Sequence, residues 1–232
     1  MREIFSYFDK IYCINLKSRP DRWENCQKQF SHFGLSNIQR FEAIKCNHPK
    51  LSKKANAQIG CTLSHYYILK EAQAKNYSRI LVLEDDFLFI KSSDHIKDKL
   101  NKSISELPDF WDIFYFGAFF VKGYDYEPIE NYSSNLIKIN TGFCTHSICY
   151  SASGIRKLLK NLNLETENEI LWFSKEYEVI DWYLARSFQK ENNCFAPNEL
   201  LSIQSSGFSD IEGKVFNYSK HFADCYHKHL MK

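Results

Sequence analysis

Glycine and proline are scarce, 8 and 5 in 232 residues. So little of either excludes a collagen-like, linker-rich or low-complexity chain and favours long regular elements. No internal repeat is visible. Neither sign of charge dominates: 30 Lys and Arg face 28 Asp and Glu, a formal net of +2. There is thus no electrostatic case for nucleic acid as the main partner. No C-x-x-C occurs among the eight cysteines at 13, 26, 46, 61, 144, 149, 194 and 225, which argues against a zinc site. Cys13, Cys144 and Cys149 sit in apolar runs and read as buried free thiols of a reducing compartment. No stretch approaches the roughly 18 apolar residues of a membrane span. Met1 to Leu16 carries Glu3, Asp9 and Lys10 without a long apolar core, unlike a signal peptide. The expectation is a cytoplasmic protein with at most peripheral membrane contact. The sequons at Asn76, Asn101, Asn131 and Asn217 matter only if the chain enters a secretory lumen.

What the chain does have is aromatic residues, 16%, with 19 Phe and 14 Tyr. It is long enough for one domain with a full core. Ile11 to Leu16 reads as a first strand. Ser18, Arg19 and Pro20 then open a helix that carries Trp23, Cys26, Phe30 and Phe33 at helical spacing and stops at Gly34. Ile38 to Ile44 is a second strand, and Ala57 to Lys75 a long helix. Arg79 to Leu83 is a third strand. This β-α-β-α-β order predicts an α/β fold with a parallel sheet and right-handed crossovers. Further on, Lys91 to Leu107 reads as a surface helix and Trp111 to Phe116 as a strand. Lys122 to Ser134 reads as a mobile loop and Phe143 to Tyr150 as an apolar run. A helix follows through Ile155, Leu158 and Leu159. Val179 to Phe188 is another helix, with Ile180, Tyr183, Leu184 and Phe188 inward, and Phe195 to Ile203 is a last extended segment.

The most informative feature is Glu84-Asp85-Asp86, which closes the apolar run Ile80-Leu81-Val82-Leu83. A run apolar at every position reads as a strand buried on both faces. Its carboxyl end is where open α/β sheets bind ligands. Alternation along the strand points Glu84 and Asp86 one way and Asp85 the other. Three adjacent carboxylates repel one another unless a cation binds or one stays protonated. Oxygen donors of this kind suit a hard divalent ion, Mn²⁺ or Mg²⁺.

Three segments together resemble glycosyltransferase family 25, which includes bacterial lipooligosaccharide galactosyltransferases and procollagen galactosyltransferase domains. They are Ile14-Asn15-Leu16-Lys17-Ser18-Arg19-Pro20-Asp21-Arg22, Gly60-Cys61-Thr62-Leu63-Ser64-His65 and Ile80 to Asp86. Ser147 to Leu159, Val179 to Trp182 and Gln204 to Ile211 resemble weaker features of the same family. The resemblance implies a GT-A type, Rossmann-like domain spanning 1–232, with a nucleotide-sugar half to about residue 120 and an acceptor half beyond. It implies transfer of a hexose, galactose or glucose, from a UDP-sugar with inversion. The acceptor would be a glycan, a glycolipid or a hydroxylysine-bearing chain, and lipopolysaccharide biosynthesis is one setting. The acidic tripeptide then looks like the counterpart of an Asp-x-Asp motif, with Glu in first place.

On that reading Asp86, with Glu84 or Asp85, holds the cation, and Asp85 also belongs to the donor site. Arg19 and Arg22 suit the diphosphate or uracil, since a guanidinium matches phosphate geometry. Asn15 suits uridine. His65 suits either the donor phosphates or the ordering of the acidic loop. Gly60-Cys61 marks a helix face that a ligand or strand approaches closely. Inversion requires a base, and Asp181, beside an apolar helix face, is the candidate, with Asp210 and Asp112 as alternatives. Trp182 and Tyr183 are candidate sugar platforms. Gln204, Ser209 and Asp210 are candidate donor or acceptor contacts, and the tail histidines 221, 227 and 229 a further source of metal ligands. The rival functions are a metal-dependent phosphohydrolase and a non-catalytic glycan-binding protein.

Overall fold

The computed structural model describes residues 4–120, 127–211, 213–217, 222 and 224. The first half runs β1 (Lys10–Asn15), α1 (Pro20–Phe33), β2 (Ile38–Glu42), α2 (Lys53–Ala74), β3 (Arg79–Glu84), β4 (Phe87–Phe89), α3 (Ser93–Ser105) and β5 (Ile113–Tyr115). It continues through β6 (Phe119–Phe120), β7 (Ile129–Asn131), β8 (Leu136–Ile139), β9 (Gly142–Phe143), β10 (Ser147–Ser151), α4 (Ala152–Asn161), α5 (Glu167–Glu176) and α6 (Ile180–Tyr183). The last strands are β11 (Cys194–Pro197), β12 (Ser202–Gln204), β13 (Gly207–Ser209) and β14 (Lys214–Phe216).

Eight strands form one sheet in the order β2-β1-β3-β10-β5-β11-β8-β7. β1 pairs in parallel with both β2 and β3. The expected β-α-β-α-β unit is therefore present, and the sheet is mainly parallel in direction. The departures are β10, antiparallel between β3 and β5, and β8, antiparallel between β11 and β7. Because β10 runs backwards, the residues that enter it, Cys144 to His146, lie beside the carboxyl end of β3.

The core divides by strand alternation. Tyr12, Ile14, Ile80 and Val82 face α2, while Ile11, Cys13, Leu81 and Leu83 face α1. Residues 80 to 83 are fully buried, which explains why all four are apolar. Each such burial contributes about 1.5–3 kcal/mol before entropy is counted. α1 begins with Pro20 at its first turn and ends on Gly34 in the left-handed region (φ 71°), as its sequence signals. α2 starts four residues earlier than expected, because the Ser52 hydroxyl caps it by accepting the Ala55 N–H.

Other differences have local causes. Phe143 to Tyr150 is two strands rather than one, broken at Cys144, which has φ 76°. Phe195 to Ile203 likewise splits into β11 and β12. The helix from Val179 keeps α geometry only to Tyr183 and then widens to a π turn over Leu184–Phe188. In the Lys122 to Ser134 segment, Ile129–Asn131 is β7 rather than loop, while 122–126 lies outside the described residues.

The motif Gly60 to His65 works as a junction. A Cβ at Gly60 would stand 2.4 Å from the Ile44 carbonyl, so only glycine lets α2 lie against the segment after β2. Ser64 Oγ accepts the Ile44 N–H at 2.9 Å and donates to the Gly60 carbonyl at 2.7 Å. Thr62 Oγ1 accepts the Ile180 N–H at 3.1 Å, fixing the start of α6 on α2. Gly60→Ala is therefore expected to lower stability by about 1–3 kcal/mol, since backbone must move to admit the methyl group. Denaturant unfolding checks this, and an unchanged midpoint would show that the contact can relax freely.

Candidate active site

The carboxyl ends of β1 and β3, the start of β10 and the start of α6 surround a cleft of about 900 Å³. It lies at the point where β1-α1-β2 and β2-α2-β3 wind in opposite directions, the ligand position of open α/β sheets. Glu84, Asp85, Asp86, Cys61, Cys144, Thr145, Asp181, Trp182, Gln204 and Asp210 line it, with Lys45, Lys53 and Lys54 on the wall after β2.

The three carboxylates after β3 have separate environments. Asp85 points toward α1, where Arg22 Nη1 donates to its Oδ1 at 2.6 Å and Asn15 Nδ2 to its Oδ2 at 2.7 Å. It is a neutralised anchor. Glu84 points toward α2, with Oε1 3.2 Å from His65 Nε2 and accepting the Thr145 hydroxyl at 2.6 Å. Burial pushes its carboxyl up, but the bond and charge of His65 and the Thr145 hydroxyl outweigh this and hold it below its ordinary value. Asp86 is left over. Its Oδ1 is buried without a hydrogen-bond partner among the described residues, and Arg22 lies 3.9 Å from its Oδ2. Burial and then the Glu84 charge push Asp86 up to about 8, against the pull of Arg22. A buried, unpartnered carboxylate oxygen beside another carboxylate is what a divalent cation would satisfy. The residues thus fit such an ion, with Asp86 and Glu84 as the donors.

Across the cleft, Asp181 Oδ2 accepts the Cys144 N–H at 3.3 Å, and Oδ1 is buried without a partner among the described residues. The left-handed backbone at Cys144 is what turns that N–H toward it. Burial raises Asp181 to about 6, with the Cys144 N–H opposing and the Glu84 charge assisting. Trp182 lines the cleft, edge-on to Phe143 and with the Arg186 guanidinium 3.9 Å over its ring.

Several expected roles move. Asn15 is 1% exposed and spends its amide on Asp85 and the Arg19 carbonyl, while its Oδ1 accepts Arg40; it supports Asp85 from below rather than lining the cleft. His65 is fully buried, with Nε2 against the Glu84 carboxylate and Nδ1 toward Tyr150, and does not itself line the cleft. Arg19 pairs with Asp21 and Asp210. Arg22 reaches the cleft and also donates to the Phe208 carbonyl at 2.7 Å, tying the β13–β14 hairpin to α1. Tyr183 packs in the core against Phe173 and Tyr177 and is no platform. Asp112 precedes β5, at the end of the strands opposite the cleft, and pairs with Lys157, so it is not placed to act as a base there. Asp210 lines the cleft but is engaged by Arg19. Gln204 and Ser209 line the cleft as expected. His221, His227 and His229 fall outside the described residues. Cys144, which reads from the sequence as a buried thiol, is only half-buried and lines the cleft beside Thr145, and the sequence singles out neither as a site residue. The one signal for them was a polar Thr-His pair interrupting an apolar run.

The model of glycosyltransferase family 25 (LPS biosynthesis protein) matches residues 8–171. The chain belongs to glycosyltransferase family 25. That stretch holds all three segments on which the resemblance rested. A glycosyltransferase 25 family member of Aedes aegypti is 28% identical, over 67% of this chain and 28% of its own. Procollagen galactosyltransferase 2 of Homo sapiens is 25% identical, over 66% and 27%. Inactive glycosyltransferase 25 family member 3 of Mus musculus is 24% identical, over 88% and 38%. The chain thus spans between 27% and 38% of the length of these relatives. Among the described residues, no helix is long and apolar enough to cross a membrane.

Proposed function

We propose that this family 25 chain is a metal-dependent, inverting hexosyltransferase that takes galactose or glucose from a UDP-sugar. The acceptor is a hydroxyl of a glycan, glycolipid or hydroxylysine-type chain. The observation that carries the reading is that Asp86 and Asp181, each with a buried Oδ1 that has no hydrogen-bond partner among the described residues, line the same cleft. One site asks for a cation and the other for a proton. Asp86 and Glu84 would hold Mn²⁺ or Mg²⁺, which when bound supplies charge neutralisation for a diphosphate leaving group.

The chain's own groups do the rest. Asp181 Oδ1 accepts the proton of the acceptor hydroxyl as that oxygen attacks the anomeric carbon. The Cys144 N–H holds the other carboxylate oxygen and so fixes the orientation of the base. Trp182 offers an aromatic face to the apolar side of a hexose ring. Arg22 keeps Asp85 neutralised, which limits repulsion of an incoming diphosphate. Lys45, Lys53 and Lys54 add positive charge on the wall after β2.

The deciding experiment measures UDP release from a panel of UDP-hexoses with Mn²⁺, Mg²⁺ or EDTA, with and without acceptors. Release from one donor, lost in EDTA, supports the transferase and names its sugar. The mouse relative named inactive gives the alternative its weight. Sugar binding without turnover under every condition would move this chain to a glycan-binding role.

A further inference from the structure

Behind the acidic loop lies a donor set of different character. Cys61 and His65 are four residues apart on α2 and so share one helix face, a spacing suited to placing two ligands on one ion. Glu84 is delivered to the same point from the end of β3. The ligand atoms of Cys61, His65 and Glu84 all lie within 4.8 Å of one another. Cys61 and Glu84 line the cleft, while His65 closes the site from the buried side. Burial, and then the charges of Glu84, Asp181, Asp86 and Asp85, push the Cys61 thiol well above its ordinary value, so the sulfur stays protonated until a cation binds there and offsets those charges.

The surroundings also orient the donors. Tyr150 Oη is 3.4 Å from His65 Nδ1, placed to accept its proton once Nε2 is committed elsewhere. Thr145 Oγ1 donates to Glu84 Oε1 at 2.6 Å. A sulfur, a nitrogen and an oxygen do not suit Mg²⁺, which demands oxygen, but they suit zinc and its probe cobalt. Three protein ligands with one side open to a cleft is the arrangement of zinc sites that keep an exchangeable position.

We propose that Cys61 Sγ, His65 Nε2 and the Glu84 carboxylate form a second cation site, which takes Zn²⁺ with its remaining position open to the cleft. On binding, the thiol proton leaves to solvent as the sulfur–metal bond forms, and the imidazole proton resides on Nδ1 toward Tyr150. The missing C-x-x-C excludes a closed four-cysteine site and has no bearing on this one. The inference stands on donor geometry and does not depend on the transferase reading. If both hold, the two ions share the Glu84 carboxylate and are coupled through it.

The test uses the full chain, stripped of metal and kept reduced by a thiol-free reductant. Co²⁺ titration is expected to give a sulfur-to-cobalt charge-transfer band that saturates at one equivalent. Zn²⁺ should displace it and excess Mg²⁺ should not. Cys61→Ser should lose the band and Cys144→Ser should keep it. Tyr150→Phe should weaken Co²⁺ affinity by about 10–100-fold. On the unsubstituted chain, where no variant has to fold, Zn²⁺ should slow alkylation of Cys61 and leave Cys46 unchanged, read by peptide mass. Absence of the band, its survival in Cys61→Ser, or equal alkylation of Cys61 with and without Zn²⁺ would each overturn the site. None of these readouts needs turnover, so the site and the transferase reading fail separately.

Discussion

On the proposed function, replacing Asp86 with asparagine is expected to cut Mn²⁺-dependent turnover by about 10²–10⁴-fold, because cation stabilisation of a leaving group contributes several kcal/mol and each 1.36 kcal/mol is tenfold in rate. The same substitution is expected to leave the fold intact and flatten its pH dependence. The sign follows from the carboxyl's raised value of about 8 against an ordinary 3.8. Between those limits the folded chain retains a proton that the unfolded chain has released. Stability therefore falls as pH rises through the window. Asparagine mimics the protonated acid and removes that slope. Steady-state kinetics across a Mn²⁺ series, with melting curves from pH 5 to pH 8, read both effects. Full turnover with unaltered Mn²⁺ dependence would show that another group holds the ion.

The second large effect is at Asp181. Asp181→Asn should lower kcat by about 10²–10⁴-fold, the usual contribution of a general base, with donor affinity unchanged. Asparagine keeps the size of the side chain but cannot take a proton. The pH profile gives an independent readout. A base must be deprotonated to act, and burial places this carboxyl at about 6. On the proposed function the rate of the unsubstituted chain should therefore decline as pH falls through about 6, and that acid limb should vanish in the variant. A variant with normal rate, or with the acid limb still present, would return Asp181 to a purely structural position at the start of α6.

The parts of this molecule legible in its sequence are those governed by neighbours along the chain. Strand β3 shows itself because both its faces are buried, so no polar residue interrupts residues 80 to 83. Helix α1 is bracketed by Pro20 and Gly34, each acting on its own backbone. The alternation that separates Glu84 from Asp85 is equally local, and the structure sends them to α2 and α1 respectively. What stayed hidden depends on partners distant in sequence. Nothing near Ser147 announces that β10 runs antiparallel between β3 and β5. Yet that placement seats Tyr150 on His65 and brings Thr145 to Glu84. A histidine in a helical motif looks the same from sequence whether it touches a substrate or braces a carboxylate. Tyr183 and Trp182 are adjacent and both aromatic, and only the packing of Phe173 and Tyr177 assigns one to the core and leaves the other at the cleft.

The bond from Arg22 to the Phe208 carbonyl spans 186 residues, and that from Arg19 to Asp210 spans 191. Contacts so distant close loops nearly as long as the chain, and their entropic cost is met only after nearer pairings have formed. The wall carrying Ser209 and Asp210 is thus held to the rest of the cleft by side chains at the opposite end of the chain, so a cut anywhere between α1 and β13 would leave those two arginines bridging two separate pieces.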